Sequence, residues 1–274
     1  MKDDFVEIQK ILKEKTIGVV LAAGMGKRMK SDIPKVAHVL YGKPLLIWAM
    51  HALIDTGIDK IVIVIAPTQT VVEELIKNHQ FPSHITIKLA YQDMPLGTGH
   101  AARCGIEAVS KYFVQEADLE TNILIAYGDT PAVSSVTFQE FIYFHLQQKN
   151  YFTILAFKTK NPFGYGRIIT DKNGNFLEIC EEKDCTEEQK TILLCNSGFL
   201  CGNYFQFQKI LPQLKNENAS KEYYLTDVPI LASKLDGKVG YLISKNEEEL
   251  LGINSQEQLK EMELKFQKKF LNAK

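Results

Sequence analysis

Apolar residues along the first 150 positions fall into short blocks with two alternating spacings. Ile17–Ala22 is a short apolar run, the pattern of a buried strand, and Ile61–Ala66, Ile85–Ala90 and Ile123–Ala126 also read as strands. Between them, Leu45–Ile54, Thr68–Lys77, Gly99–Val109 and Val136–Leu146 place apolar residues at helical intervals. This β-α order predicts an α/β fold: a Rossmann-like wound, mostly parallel sheet with helices on both faces. Such sheets bind ligands beyond the carboxyl ends of their strands.

The second half changes character. Thr153–Phe157, Arg167–Thr170, Phe176–Cys180 and Cys195–Cys201 are short strands with turn signals such as Asp171-Lys172-Asn173-Gly174, which predict a smaller mixed-sheet lobe closing over the first half. Tyr224–Lys234 returns to a helix, Val239–Ile243 to a strand, and Gln256–Phe270 is a charged amphipathic helix. The chain therefore divides into an N-terminal extension (1–15), a wound half (16–150), the lobe with the return to the sheet (151–255) and a C-terminal helix (256–274). No low-complexity linker separates them, so one compact domain is expected.

Composition narrows the classes. The 274 residues carry 32 basic and 33 acidic side chains and 45% hydrophobic residues. A net charge of -1 gives no general attraction to nucleic acid or to an anionic membrane, so any anion site is local. No apolar run approaches the roughly 20 residues that cross a bilayer. Met1–Lys15 is charged throughout and lacks the apolar stretch of a secretory signal, so a cytoplasmic location is expected. Cys104, Cys180, Cys185, Cys195 and Cys201 are odd in number and lack zinc-site spacing; reduced thiols filling space in a sheet are expected.

Chemistry enters at Leu21-Ala22-Ala23-Gly24-Met25-Gly26-Lys27-Arg28-Met29, directly after the first strand. Two glycines let the backbone turn and aim N–H groups at an anion, and Arg28 adds a forked cation. The spacing is not that of a P-loop, because Arg28 stands where that loop needs Ser or Thr. Nor is it a dinucleotide loop, because Met29 replaces the third glycine. A plain strand-to-helix turn would fit the two glycines equally well. Pro34-Lys35 shifts the balance: a proline-stiffened lysine close behind the loop can reach back to phosphates.

Leu21–Arg28 with Pro34-Lys35 resembles the signature of the sugar-1-phosphate nucleotidylyltransferases, the sugar-nucleotide pyrophosphorylases. The likeness continues in order through Gln92, Leu96–Ala101, Tyr127–Pro131, Gly164–Ile168, Glu181–Asp184, Asn196–Gly198, Glu222–Asp227 and Gly252–Asn254. It is closest to the branch with an N-terminal N-acetylglucosamine-1-phosphate uridylyltransferase domain joined to an acetyltransferase.

The resemblance implies a sheet of the nucleotide-diphospho-sugar transferase type, with 16–150 binding nucleotide and the lobe binding sugar. It assigns Leu21, Ala22, Ala23, Gly24, Gly26, Arg28 and Lys35 to the nucleotide phosphates, with Arg28 and Lys35 catalytic, and Gln92, Gly97 and Thr98 to the pyrimidine. It assigns Tyr127, Gly166, Glu181, Asn196, Tyr224 and Thr226 to the sugar, and Asp129 with Asn254 to Mg²⁺. Alone, Asp129 would suit a turn, Asn254 a helix cap, and Glu181 a solvated charge run. The implied reaction joins UTP and N-acetylglucosamine 1-phosphate, giving UDP-N-acetylglucosamine and pyrophosphate. A guanylyl or other nucleotidyl transfer to a different sugar phosphate is the alternative, since guanine offers Gln92 a similar edge. The β-helix repeats of the acetyltransferase half are absent from these residues, so no acetyl-CoA use is expected, and the molecule is expected to be a monomer or weak dimer.

Overall fold

The computed structural model describes residues 10–114 and 120–271, with Lys27 described by its backbone alone. Of the N-terminal extension, residues 1–9 lie outside the described part. Residues 10–15 are helical, and Leu12 is fully buried among core residues.

Among the described residues, nine strands form one sheet. Strand β1 (Thr16–Leu21) pairs in parallel with both β4 (Lys60–Ile65) and β6 (Asn122–Tyr127), and β4 pairs in parallel with β5 (Thr86–Tyr91). The burial of every residue of β1 follows from helices on both faces. Helices α1 (Leu45–Thr56), α2 (Thr70–Asn78) and α4 (Ser135–Gln148) cover one face; α3 (Thr98–Tyr112) covers the other. Helix α1 starts after Pro44, whose fixed φ suits a helix entry, and stops at Gly57 in the left-handed region. A two-stranded hairpin, β2 (Val39–Leu40) with β3 (Lys43–Pro44), packs with Trp48 against the last helix, α8 (Gln256–Leu271).

The second half is less separate than its strand pattern predicts. Strands β7 (Phe152–Lys158), β10 (Leu194–Asn203) and β11 (Val239–Ile243) extend the main sheet, in the order β11-β7-β10-β6-β1-β4-β5. Only the hairpin of β8 (Arg167–Thr170) and β9 (Phe176–Cys180) leaves this path, attached through β10. Strand β10 runs antiparallel to both β6 and β7 and shifts register between Asn196 and Leu200.

Two short helices, α5 (Glu187–Lys190) and α6 (Tyr204–Ile210), are too brief for a periodic signal and rest on caps at Thr186 and Asn203. The helix expected over Tyr224–Lys234 begins instead as α7 at Asp227. Pro229 is tolerated in a first turn but not deeper in a helix. Residues 223–225 bond elsewhere: Tyr223 N–H donates to Leu96 O (2.8 Å), Gly99 N–H to Tyr223 O (2.7 Å), and Leu225 N–H to Thr98 Oγ1 (3.0 Å). These bonds bring the second half against the start of α3.

All five cysteines are free, and Cys195 and Cys201 lie buried within β10. Burial pushes the Cys195 thiol up to about 11. Among the described residues, no helix is long and apolar enough to cross a membrane.

Buried His145, on α4, has its Nδ1 2.9 Å from Thr153 Oγ1, and desolvation lowers its pKa to about 4. The unfolded chain, with an ordinary imidazole near 6.5, binds the proton more readily. Stability is therefore full above pH 6.5 and falls as pH drops through the folded value. The loss approaches about 3 kcal/mol by pH 4. Urea unfolding of the protein and of His145→Gln at pH 7 and pH 4.5 checks this: the variant should lose markedly less stability on acidification. Equal losses would assign the acid sensitivity to other groups.

Candidate active site

The loops leaving β1, β5 and β6 open at the same edge of the sheet. Gly128 N–H donates to Leu21 O (3.0 Å), and Ala22 N–H donates to Val64 O (2.8 Å), so the loop after β1 is held from both sides. Buried Gln69 supports it from behind: its Oε1 accepts from Ala66 N–H (2.9 Å) and its Nε2 donates to Gly24 O (3.5 Å). Gly26 has φ 59°, and an added Cβ there would sit 2.6 Å from Lys35 Cβ. The glycine thus allows the turn and the close passage of Lys35. Residues 27–29 form a single 3-10 turn, so Met29 packs into the core without blocking a helix entry.

A cavity of about 460 Å³ lies over this loop. Leu21, Ala22, Ala23, Gly24, Gly26, Lys35, Gln92, Gly97, Thr98, Tyr127 and Asp129 line it, eleven of the residues singled out by sequence. Gln92 is buried; its Nε2 donates to Gly97 O (3.0 Å) and lies 3.2 Å from His100 Nδ1. Gly97 adopts φ 103°, and a Cβ there would meet Tyr223 O at 2.6 Å, so only glycine fits where the 222–225 segment crosses.

The strongest convergence is polar. Lys35 Nζ donates to Asp129 Oδ2 and to Asn254 Oδ1, the latter at 3.0 Å. Ile253 N–H donates to Asp129 O (2.9 Å), which draws the loop after β11 to the loop after β6. The helix-cap role open to Asn254 falls to its neighbour: Ser255 Oγ accepts from Gln258 N–H (3.2 Å) and leaves the Asn254 side chain facing Lys35. The Asp129 carboxylate and the Asn254 amide oxygen both reach one nitrogen, so both could reach one small hard cation. Among the described residues, no three His, Cys, Asp or Glu side chains gather as a metal site. Mg²⁺ needs only one or two protein oxygens when phosphates and water complete its shell.

Of the residues assigned to a sugar, Tyr127 lines this cavity and Gly166, Glu181, Asn196, Tyr224 and Thr226 do not. Asn196 N–H donates to Gly166 O (2.8 Å), and Thr226 Oγ1 donates to Glu181 Oε1 (2.9 Å). Burial raises the Glu181 carboxyl above its ordinary pKa, partly offset by the Thr226 bond. Tyr127 joins the two regions: it lines the cavity, its ring faces Gly198, and burial followed by the charge of Glu181 raises its pKa. Tyr224 is half-buried beside Ser220 and Asp184, with its pKa raised by burial.

Arg28 stands apart. It is exposed on the 3-10 turn, outside the cavity lining, and makes no hydrogen bond or ion pair among the described residues. Sequence reasoning missed three contributors: Gln69, Glu222, which lines the cavity, and Tyr165, whose phenol meets the backbone of Gly252. Glu222 and Tyr165 fall inside recognised motif blocks, but nothing in their residue types marked a role.

A wound sheet whose strand-end loops gather a glycine turn, a lysine, a carboxylate and an amide oxygen defines a nucleotide-handling α/β transferase. Residues 17–241 match the nucleotidyl transferase family, and the chain belongs to it. The bifunctional protein GlmU of Thermoanaerobacter pseudethanolicus is 39% identical over 259 residues, covering 94% of this chain and 53% of that protein. GlmU of Carboxydothermus hydrogenoformans is 41% identical over 244 residues, covering 88% of this chain and 51% of that protein. The chain thus spans about half the length of these relatives. A probable UDP-N-acetylglucosamine pyrophosphorylase of Acanthamoeba polyphaga mimivirus is 36% identical over 249 residues, covering 89% of this chain and 93% of that protein.

Proposed function

We propose that the protein transfers the uridylyl group of UTP to N-acetylglucosamine 1-phosphate, giving UDP-N-acetylglucosamine and pyrophosphate. The observation that carries this is the meeting of Lys35, Asp129 and Asn254 at the mouth of the cavity walled by Gly24, Gly26, Gln92 and Gly97. The name of the mimivirus relative supports the same substrates.

The attacking oxygen belongs to a phosphate already ionised near neutral pH, so no general base is needed. It attacks the α-phosphorus of UTP, a P–O bond forms, and the bond to the pyrophosphate oxygen breaks. The barrier lies in bringing two polyanions into line, which makes positioning and charge neutralisation the task of the site. Lys35 brings its ammonium to the phosphates, and the amides of the 23–26 turn present N–H groups to them. Mg²⁺ held by Asp129 and Asn254 would neutralise charge on the transferring phosphate.

Gln92 narrows the choice of base. Its Nε2 is committed to Gly97 O and His100, so Oε1 is the group left to accept the imide N–H of uracil. Adenine and cytosine offer a lone pair at that position and would leave Oε1 facing another acceptor. On the sugar side, Asn196 Oδ1 accepts from Gly198 N–H (3.0 Å), which leaves its Nδ2 to donate to the acetamido carbonyl. Glu181 accepts from a ring hydroxyl.

Pyrophosphate release measured across UTP, GTP, CTP, dTTP and ATP, crossed with glucosamine, N-acetylglucosamine and glucose 1-phosphates, tests the proposal. The expected maximum is UTP with N-acetylglucosamine 1-phosphate. A maximum with GTP would transfer the reading to a guanylyltransferase, and no release with any pair would end it.

A further inference from the structure

Arg167 is 1% exposed and the bulkiest of the fully buried side chains. It touches neither the cavity nor any residue assigned to the nucleotide. Its Nη2 lies 2.8 Å from Glu182 Oε2 and also donates to Lys190 O (3.3 Å), while Nη1 donates to Tyr165 O. Glu182 in turn accepts from Gly164 N–H (3.1 Å). One guanidinium therefore ties together the loop before β8, the turn after β9 and the short helix α5.

The tied segments hold the sugar-side contacts. Gly166 immediately precedes Arg167, and Glu181 immediately precedes Glu182. Asn196 donates its N–H to Gly166 O (2.8 Å), and Cys195 is in register with Arg167 across β10 and β8. A Cβ built on Gly166 would lie 3.5 Å from Glu181 Oε2, an ordinary van der Waals contact, so the two residues stand next to each other. A buried ion pair is a poor source of net stability, because desolvation offsets much of the attraction, and Arg167 Nε is left buried without a partner. Geometry is the better account of why so costly a group stands here.

We propose that the Arg167–Glu182 pair is a positioning clamp that fixes Gly166, Glu181 and Asn196 to receive the sugar 1-phosphate, while leaving the nucleotide pocket untouched. This rests on the sugar-site assignment under Proposed function. A planar fork is required, since three oxygens on three segments are held at once; a lysine ammonium keeps the charge without the fork.

The test compares Arg167→Lys and Glu182→Gln with the unaltered protein. Glu182 is 22% exposed at its side chain and Gln keeps an oxygen for Arg167 and Gly164, so Glu182→Gln is the second variant should the buried position not tolerate lysine, and a thermal melt of each accompanies the kinetics. In both variants KM for N-acetylglucosamine 1-phosphate should rise about tenfold or more, through misplacement of its contacts, with KM for UTP moving less than about twofold. Amide hydrogen exchange at Gly164 and Asn196, measured without substrates, should quicken in both. Parallel rises in the two KM values, a lysine variant matching the unaltered protein, or unchanged exchange at those two amides would overturn the clamp. Absence of turnover by the unaltered protein would count against the proposed reaction instead, and the exchange measurement would still decide the clamp.

Discussion

Lys35→Ala turns over about 10²- to 10³-fold more slowly than the unaltered protein, a loss of about 3–4 kcal/mol of transition-state stabilisation, and it remains folded. Lys35 is the cation that lines the nucleotide cavity, its side chain 13% exposed, whereas exposed Arg28 lies outside that lining. The ammonium is held beside the cavity by Asp129 and Asn254, so it stands close to where the phosphates arrive. Its contribution should appear mainly in kcat, because charge on the bridging oxygen grows as pyrophosphate departs. The fold should survive, since Lys35 sits in a surface 3-10 turn and the core beneath it is supplied by Val36. Steady-state pyrophosphorolysis with a thermal melt checks this. Near-normal kcat in a folded Lys35→Ala protein would remove Lys35 from the chemistry. Arg28→Ala, by the same geometry, should lose less than Lys35→Ala.

The wound half was legible because β1, β4 and β6 are buried on both faces, so their apolar runs stand out, whereas the edge strand β5 shows in alternation instead. The second half was harder for a physical reason. Strand β10 pairs with β7 over 194–196 and 200–202, with β6 over 200–203 and with β8 at Cys195, so its pattern records several neighbours at once and does not say which strands it joins. The start of α7 was misplaced because the apolar pattern of 224–234 runs on without a visible break, while the N–H groups of Tyr223 and Leu225 are taken by Leu96 O and Thr98 Oγ1 far away in sequence. Such pairing leaves no local trace.

The candidate site was more legible than the fold around it. Glycines at 26 and 97 adopt the left-handed conformation that only their lack of a Cβ makes easy, and their motifs were visible. Lys35, Asp129 and Asn254 meet although 94 and 219 positions separate Lys35 from its two partners. No spacing rule predicts that; the ordered motif blocks did. Supporting residues such as Gln69 and Glu222 stayed hidden because an amide in a turn and an acid before aromatic residues are common surface patterns.

Asp129→Ala should lose turnover by about 10²- to 10³-fold, and the loss should not multiply with that of Lys35→Ala. Asp129 is the one carboxylate lining the cavity that also bonds Lys35, and the same oxygens are those offered to a divalent cation. Removing it leaves Lys35 tethered by Asn254 alone and leaves the cation with a single amide ligand, so positioning of both charges is damaged together. Groups acting as one unit are non-additive: once the centre is broken, a second deletion removes little more. The double variant should therefore stand near about 10³ below the unaltered protein, whereas independent action would place it about 10⁴- to 10⁶-fold below. Metal binding gives a readout apart from turnover: Mn²⁺ titrated in the presence of UTP and followed by electron paramagnetic resonance should bind Asp129→Ala more weakly than Lys35→Ala. A multiplicative double variant, or Mn²⁺ bound equally by both, would mean that Asp129 and Lys35 serve separate tasks and that their contact is incidental to the reaction.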